Sequence, residues 1–306
     1  MVTDFQQPEF GCKLEGSLKL ALGETVVPEL ICYVNGDFLS TAAARLPVQD
    51  LAILRGYGVF DFLRTYQGRP FRLRDHLRRL ERSAQAIYLT LPTSLETIEA
   101  IIYETLARNA LPEANLRIVV TGGVSSDGLS PADQASLIVL VTPVREYPTT
   151  YYSLGVKVIT TAVERYLPQA KTINYIPAIM ALKQAQAAQA VEALYVNRQQ
   201  HILEGTTTNF FIFHGDQLLT PLEDILPGVT RDFVIELARD SGFAVIERAL
   251  TLADVRQADE AFLTASNKEI MPVHHLDDLQ IGPGHCGPHT QTLMTAFHQA
   301  TRTQHE

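Results

Sequence analysis

The stretch that decides the fold is the segment Pro168-Gln169-Ala170-Lys171-Thr172-Ile173-Asn174-Tyr175, which directly precedes an apolar helical pattern. We expect Lys171 to point into the protein from the start of that helix. A lysine has a long methylene stem and a readily shifted pKa, so a partly desolvated lysine suits Schiff-base chemistry. On this segment alone, the preferred interpretation is a lysine whose stem covers apolar surface while its ammonium stays in water.

Further segments carry groups that would complement a reactive lysine. Residues 203–209, between two apolar strands, combine one carboxylate, one glycine and three hydroxyl groups. Residues 228–231 offer free amides at a predicted helix N-terminus, where anions bind, and residues 264–267 add small donors after a buried strand. Arg78 and Arg79 lie on a helix whose other face is apolar. Together these are the groups that a phosphorylated electrophile with a ring nitrogen would need.

The composition is that of an ordinary globular protein. The chain has 306 residues, of which 46% are hydrophobic and 19% charged, and its mean hydropathy is +0.03. These values exclude a disordered chain, and the length fits about two domains of ~150 residues each. The net charge is −9, from 25 Lys and Arg against 34 Asp and Glu. With no polybasic block, the charge argues against a nucleic-acid or anionic-membrane partner.

The cysteines and the N-terminal residues indicate the compartment. Cys12, Cys32 and Cys286 are odd in number and far apart, so they predict no disulfide framework and favour a reducing environment. The first residues lack the apolar core of a secretory signal. No apolar run approaches the ~18 residues that a membrane span needs. The sequence therefore predicts a cytoplasmic protein.

Hydrophobic spacing predicts helices and strands in mixed order. Asn35-Gly36 between two apolar stretches predicts a hairpin, and residues 51–66 are predicted to be strand, interrupted by two glycines. Apolar residues at helical spacing predict one helix from Leu73 and another after Ser94.

The order of the elements predicts two α+β domains. Strict βαβ alternation is missing, which disfavours one doubly wound sheet. The pattern predicts an N-terminal extension over residues 1–28, a smaller domain over 29–142, a linker over 143–154 and a larger domain over 155–306.

Three patterns that could indicate other chemistry are set aside. Residues 282–287 match G-x-G-x-x-G, but only 19 residues follow Gly287, too few for the next strand of a dinucleotide fold. The histidines and the cysteine of residues 285–289 lack the paired spacing of a zinc site, so no metal is predicted. Asp61 and residues 125–127 have no orienting histidine nearby in the sequence, so we interpret them as turn residues.

Five blocks, in a fixed order, carry a resemblance to a known family. They are RGYGVFDFLRTYQGRPFRLRDHLRRL (55–80), KTINY (171–175), LEGTTTNFF (203–211), LPGVTRD (226–232) and FLTASNKEIMPV (262–273). Over about residues 30–300 the chain resembles the fold type IV pyridoxal-phosphate enzymes, which include branched-chain aminotransferases, D-amino acid aminotransferases and aminodeoxychorismate lyases. The resemblance implies an α+β fold with a smaller N-terminal domain, a larger C-terminal domain and pyridoxal 5′-phosphate between them.

The resemblance also implies which residues hold the cofactor. Lys171 matches the catalytic lysine that forms a Schiff base with it. Glu204 matches the carboxylate that keeps the pyridine nitrogen protonated, so that the ring can withdraw electrons. Tyr175 is similar to the tyrosine placed against the phenolic oxygen. The residues implied to bind the phosphate are Arg79, Val229, Thr230 and Ser266.

The substrate side of the pocket matches the family less closely. Phe60 falls on an aromatic position that lines the family's substrate pocket. Arg64 could lie there as a carboxylate anchor or face solvent on an alternating strand. Branched-chain enzymes usually have Gly-Thr-Ala-Ala where this chain has Ala-Ser-Asn-Lys over residues 265–268, so the bulkier Asn267 is a predicted pocket residue. The loop of residues 122–129 lacks the R-x-H motif of D-amino acid enzymes.

We therefore expect a class IV aminotransferase that moves an amino group from a branched-chain L-amino acid to a 2-oxo acid such as 2-oxoglutarate. The family also implies a homodimer. Two alternatives in the same family are a D-amino acid aminotransferase and a 4-amino-4-deoxychorismate lyase. A more distant alternative is a non-catalytic binding module that kept the fold.

Overall fold

The computed structural model describes residues 29–132 and 134–303, which form two β-sheets and the helices that cover them. The helices are α1 (Leu51–Arg55), α2 (Leu73–Ala86), α3 (Leu95–Asn109), α4 (Thr150–Ser153), α5 (Ile176–Ala187), α6 (Val229–Asp240), α7 (Leu252–Arg256) and α8 (Pro288–Thr303). The strands are β1 (Ile31–Val34), β2 (Asp37–Ser40), β3 (Gly58–Tyr66), β4 (Arg69–Pro70), β5 (Ala114–Thr121), β6 (Ser136–Pro143), β7 (Val156–Ala162), β8 (Glu192–Val196), β9 (His201–Gly205), β10 (Asn209–His214), β11 (Gln217–Thr220), β12 (Ala244–Glu247), β13 (Leu250–Thr251), β14 (Glu260–Ala265), β15 (Glu269–Leu276) and β16 (Leu279–Gln280).

The first sheet is antiparallel and has six strands in the order β2-β1-β6-β5-β3-β4. The β1–β2 hairpin turns at Asn35 and Gly36, whose φ angles are 48° and 111°. These left-handed conformations suit the tight turn that the sequence predicts, and the hairpin is confirmed. Leu77 and Leu80 of α2 and Ile98 of α3 are buried against the apolar face of β3 and β5, so the two helices cover one face of this sheet.

The helices predicted from Leu73 and after Ser94 are also confirmed, as α2 and α3. The hydroxyl of Ser94 accepts the N–H of Thr97 at the start of α3, and such a cap satisfies one of the free amides at a helix N-terminus. The helix ends at Asn109, where the apolar spacing stops.

The second sheet has ten strands, nine of them in the order β12-β11-β10-β14-β15-β7-β8-β9-β13, with β16 beside β15. Three of its pairs are parallel, namely β11–β12, β15–β7 and β7–β8. Phe211 and Phe262 stack at 4.8 Å on the face that α6 and α8 cover. On another part of the sheet, Ala181 and Ala185 of α5 join a cluster with Tyr195 of β8. Helices pack on each of the two sheets, as the α+β prediction requires.

The structure corrects the prediction of strand over residues 51–66. Residues 51–55 are α1, because Asp50 caps the helix by accepting the N–H of Ala52, and Gly56 ends it with φ 64°. The strand begins only at Gly58. A second difference is β15, a largely buried strand for which the sequence pattern gave no prediction.

The predicted domain boundaries fall between the two sheets. The proposed linker, residues 143–154, contains α4, and the proposed extension, residues 1–28, lies outside the described residues. The division into domains stays a prediction. Among the described residues, no helix has the length and apolar character to cross a membrane, and no group of three or more side chains is arranged to hold a metal ion.

Candidate active site

One cavity of about 590 Å³ takes its walls from both sheets. The first sheet contributes residues of β3 and β5, and the second contributes the ends of β9 and β14 with the turns that follow them. Nine of the ten residues that the sequence predicts for the site line this cavity: Phe60, Arg79, Lys171, Tyr175, Glu204, Val229, Thr230, Ser266 and Asn267. The tenth, Arg64, does not.

Lys171 is held in the cavity by backbone hydrogen bonds to the first sheet. The N–H of Phe60 donates to the Lys171 carbonyl at 2.9 Å, and the N–H of Ile173 donates to the Gly58 carbonyl at 3.1 Å. A Cβ on Gly58 would lie 2.7 Å from the Val120 oxygen of β5 and 3.0 Å from Ile173 Cδ1, so glycine lets β3 lie close both to β5 and to the segment that holds Lys171. The expected position at a helix start is therefore wrong, because α5 begins at Ile176 and Lys171 lies in an extended segment on β3.

The amine of Lys171 loses its proton more readily than that of an exposed lysine. Its Nζ lies 4.7 Å from the centroid of the Phe60 ring, and no carboxylate or carbonyl of the described residues accepts from it. Burial, followed by the nearby charge of Arg79, lowers the pKa of Lys171 to about 7. A lysine with such a pKa can act as a nucleophile and as a general base near neutral pH.

Arg79 belongs to a buried cluster with Asp61 and His76. Its Nε and Nη2 donate to the Asp61 carboxylate at 2.9 and 2.8 Å, and His76 Nδ1 lies 2.7 Å from the same carboxylate. Burial alone would raise the pKa of Asp61, but Arg79 and His76 together hold it well below its usual range. The interpretation of Asp61 as a turn residue is wrong, since it lies within β3 on the buried side of the strand.

The guanidinium of Arg79 also reaches the N-terminus of α6. Its Nη1 donates to the carbonyl of Pro227 at 3.3 Å, which leaves one Nη1 hydrogen for a ligand. Gly228 precedes α6 and gives it no side-chain cap, so the first amides of the helix, at Val229 and Thr230, are available to an anion. This end of the cavity can bind a phosphate.

Glu204 lies at another wall of the cavity and is paired with Arg165. Arg165 Nη1 donates to Glu204 Oε1 at 2.6 Å, and the N–H of Leu226 donates to Oε2 at 3.0 Å. Burial raises the pKa of Glu204, and Arg165 offsets only part of that rise. Each carboxylate oxygen keeps a lone pair for a further donor. Sequence reasoning missed Arg165, which no periodic pattern distinguishes in its loop.

Aromatic rings form the side of the cavity next to Lys171. The ring of Tyr175 packs edge to face on Phe60 at 5.4 Å, and burial raises the pKa of its hydroxyl. Arg117 of β5 lies over Phe60 and Phe62, with its guanidinium carbon 5.0 and 5.3 Å from the two ring centroids. Among the described residues Arg117 has no carboxylate partner, and the sequence gave no prediction for it.

The loop after β14 completes the cavity. Ser266 Oγ donates to the carbonyl of Phe62 at 3.1 Å, and Asn267 Nδ2 donates to the hydroxyl of Tyr147 at 3.2 Å. The backbone N–H groups of Ser266 and Asn267 have no acceptor within residues 29–132 and 134–303. Both side chains therefore bond to the protein, while two backbone donors stay free at the cavity wall.

The predicted pocket position of Arg64 is corrected by the structure. Arg64 lies farther along β3 than Phe62, where its Nη1 donates to Glu269 at 3.1 Å and its guanidinium carbon lies 4.5 Å from the Tyr66 ring centroid. Because Glu269 neutralises it outside the cavity, Arg64 is neither a substrate anchor there nor a residue turned freely to solvent.

These donors fit pyridoxal 5′-phosphate by their chemistry. The uncapped α6 N-terminus with Arg79 suits the phosphate, the buried Glu204 carboxylate suits a protonated ring nitrogen, and the free amine of Lys171 suits the aldehyde. All of them line one cavity.

Comparisons with known proteins show the family to which the chain belongs. The family model described as "Amino-transferase class IV" matches residues 58–276. The chain is 35% identical over 274 residues to a "Putative branched-chain-amino-acid aminotransferase" of Methanocaldococcus jannaschii, covering 87% of this chain and 94% of that protein. It is 32% identical over 271 residues to a D-alanine aminotransferase of Listeria innocua, covering 86% and 93%. The solved branched-chain amino acid aminotransferase of Escherichia coli aligns with a TM-score of 0.84 and 27% identity, covering 89% of this chain and 94% of that one.

Proposed function

The chain belongs to the class IV aminotransferases, which use pyridoxal 5′-phosphate, and we propose that it transfers the amino group of a branched-chain L-amino acid to 2-oxoglutarate or a similar 2-oxo acid. The observation that carries the proposal is the amine of Lys171, which lies 4.7 Å from the Phe60 ring centroid without an acceptor among the described residues, in a cavity that also holds an uncapped helix N-terminus and a buried carboxylate. The second lysine of the cavity, Lys268, is paired with a carboxylate, so it is not the free amine.

The residues divide the work of binding and proton transfer. When bound, pyridoxal phosphate supplies the aldehyde and the electron-withdrawing ring. Lys171 would hold the aldehyde carbon, and its amine, with a pKa of about 7, can take a proton from the α-carbon of the substrate and give it back. Glu204 would pair with a protonated ring nitrogen, and Tyr175 would face the phenolic oxygen of the ring. Arg79, Val229, Thr230 and Ser266 would hold the phosphate.

The substrate class follows from the side of the cavity that faces Phe60. Phe60 and Phe62 give an apolar wall for a branched side chain. Arg117 lies on the same wall without a carboxylate partner among the described residues, so it can bind the distal carboxylate of 2-oxoglutarate. The free N–H groups of Ser266 and Asn267 can bind the α-carboxylate that both substrates share.

A D-amino acid aminotransferase is the second candidate, favoured by the 32% identity to the Listeria innocua protein. The loop of residues 122–129 argues against it. Asp127 there accepts hydrogen bonds from the amides of Leu129 and Ser130, so the loop offers a bonded carboxylate and no cation for a substrate carboxylate.

A substrate screen tests the proposal. Purified protein with added pyridoxal phosphate is assayed with L-leucine, L-isoleucine, L-valine, D-alanine and D-glutamate against 2-oxoglutarate and pyruvate. We expect transamination of the branched L-amino acids. Activity with the D-amino acids alone would support the second candidate, and pyruvate release from aminodeoxychorismate would indicate a lyase.

Two lysine variants separate the role of Lys171 from that of the fold. Lys171→Ala should abolish transamination and keep the unfolding transition of the wild type, whereas Lys157→Ala, which removes only a pairing with the exposed Asp278, should change neither. Borohydride reduction of the loaded protein followed by peptide mapping should label Lys171. A label on Lys183 or Lys268 would overturn the assignment.

We also propose that the protein is a cytoplasmic homodimer. The exposed apolar side chains of Ile176, Ile179 and Met180 on α5 lie beside the cavity, which Ile179 also lines, and would be covered by a second copy. The free thiols of Cys32 and Cys286 support a reducing compartment. Light scattering of the loaded protein measures the mass, and a value for one chain would contradict the dimer.

A further inference from the structure

The loop of residues 266–269, here called the anchored loop, has four successive side chains that bond in four directions. Ser266 and Asn267 bond to Phe62 and Tyr147. Glu269 accepts from Arg64, from the hydroxyl of Tyr66 at 2.7 Å and from His298 at 2.8 Å. The fourth side chain, Lys268, turns inward. A loop with every side chain bonded presents its backbone to the cavity in one arrangement.

Lys268 lines the cavity and forms a buried ion pair there. Its side chain is 9% exposed and that of Glu192 is 0% exposed. Lys268 Nζ donates to Glu192 Oε2 at 3.2 Å and to Thr207 Oγ1 at 2.7 Å. A charge buried to this degree is stable only with a close partner and further hydrogen bonds, so the two residues depend on each other.

Glu192 joins the ion pair to the turn of residues 205–208, here called the threonine turn. Its Oε1 accepts from the N–H of Thr206 at 3.2 Å and from the Thr206 hydroxyl, and its Oε2 accepts from the Thr207 hydroxyl at 3.0 Å. A Cβ on Gly205 would lie 3.0 Å from Glu192 Cγ, so the turn packs directly on this carboxylate. Burial would raise the pKa of Glu192, but Lys268 and the threonine hydroxyls outweigh burial and lower it, so the folded protein favours the charged carboxylate.

We propose that Lys268 is a positioning residue for substrate binding: with Glu192 it locks the anchored loop onto the threonine turn. The lock holds the free N–H groups of Ser266 and Asn267 at the cavity wall, where a carboxylate binds. The inference rests on the proposed function, because the ligand in question is the α-carboxylate of the substrate. It adds a residue that acts through the loop and does not touch the reacting atoms.

Charge-removing variants of the holoenzyme test the proposal. Lys268→Met keeps the apolar stem and removes the charge, and Glu192→Gln/Lys268→Met removes both charges, so that no unpaired charge stays buried. Lys157→Met is the matched control, because Lys157 pairs with the exposed Asp278 at 3.8 Å. For each protein we measure KM and kcat for both substrates, the Kd of 4-methylvaleric acid (a carboxylic acid without an amino group), cofactor retention and the urea midpoint.

We expect the single variant to lose both stability and substrate affinity. In Lys268→Met, the KM values and the Kd of 4-methylvaleric acid should rise roughly tenfold, since a displaced loop weakens ground-state and transition-state binding alike. The kcat should stay within about twofold, and the cofactor should be retained. The double variant should recover the urea midpoint of the wild type while keeping the raised KM and Kd. The control should match the wild type throughout.

Two outcomes would overturn the positioning role. One is a double variant that recovers KM and Kd together with stability, which would mean that the pair only supports the fold. The other is a Lys268→Met protein that is less stable but has unchanged KM and Kd. A wrong substrate class is distinguished from a wrong positioning role because it is already seen in the wild type, which would then not turn over branched L-amino acids. In that case the same comparison of variants is made with the amino acid that the wild type uses.

Discussion

Two arginine–carboxylate pairs contribute to different walls of the cavity, and they differ in which member a ligand would contact. In the pair of Asp61 and Arg79, the arginine lines the cavity and the carboxylate lies behind it, 0% exposed. In the pair of Glu204 and Arg165, both side chains line the cavity; the carboxylate is buried, whereas the arginine side chain is 24% exposed. The first presents a cation to an anionic ligand group, and the second presents an anion to a cationic one.

The pKa values of the two carboxylates are shifted in opposite directions. Burial would raise the pKa of Asp61, but Arg79 and His76 hold it well below its usual range, so the folded protein favours the charged form. Burial raises the pKa of Glu204 beyond what Arg165 offsets, so the folded protein disfavours its charge until a further donor arrives. The first carboxylate serves stability, whereas the second is held ready for a ligand.

The largest expected effect comes from breaking the first pair. Arg79→Ala leaves Asp61 buried with His76 as its remaining side-chain partner, and losing one member of a buried pair costs about 3–5 kcal/mol in the free energy of unfolding. The lost phosphate contact adds a roughly ten- to hundred-fold weaker cofactor affinity. Urea unfolding of the apoprotein and equilibrium titration with cofactor measure the two effects.

A double variant separates stability from binding in this pair. Asp61→Asn/Arg79→Met removes both charges, so it should regain most of the free energy of unfolding and none of the cofactor affinity. An Arg79→Ala apoprotein as stable as the wild type would contradict the structural role of the pair.

Breaking the second pair should lower turnover more than stability. Glu204→Gln keeps the shape and an acceptor for the Leu226 N–H, it removes a charge that the fold already disfavours, and it leaves Arg165 24% exposed to water, so the free energy of unfolding should fall by less than the about 3–5 kcal/mol expected for the first pair. Without the carboxylate the ring nitrogen loses its charged partner, and kcat at saturating cofactor should fall roughly a hundredfold. Equal cofactor loss in Glu204→Gln and Arg79→Ala, with normal turnover at saturation, would remove the distinction between the pairs.

The two pairs also show what the sequence could and could not predict. Arg79 and Glu204 were predicted because they lie in ordered motif blocks, and the helices around them follow from apolar spacing. Asp61 was misinterpreted, although its alternation with Val59 and Leu63 on β3 places it on the buried face, where an acid needs a partner.

Other parts of the site depend on tertiary contacts that no local pattern encodes. Lys171 was predicted at a helix start, but residues 171–173 pair with β3 instead. Glu192 and Lys268 are 76 residues apart in the chain and meet only when β8 and β14, the strand before the anchored loop, lie in one sheet. Such partners are set by strand order, which hydrophobic periodicity does not determine.

The smallest expected effect tests how both pairs act on Lys171, whose pKa is lowered by burial, then by Arg79, and raised in part by Asp61 and Glu204. In the unfolded apoprotein the amine has its ordinary pKa of 10.5, and in the folded one about 7. Between these values the unfolded chain binds a proton that the folded chain does not, so stability rises with pH.

The measurement is the free energy of urea unfolding of the apoprotein against pH, compared with Lys171→Met, which lacks the titrating amine. Relative to this variant, the wild type should gain roughly 1 kcal/mol between pH 7 and pH 8 and little below pH 6, where both states hold the proton. In Glu204→Gln, which removes a charge that raises the pKa of Lys171, the gain should begin at lower pH. A difference between the wild type and Lys171→Met that stays constant from pH 6 to pH 9 would show that the amine is not desolvated, and the two pairs would then have no neutral lysine between them to tune.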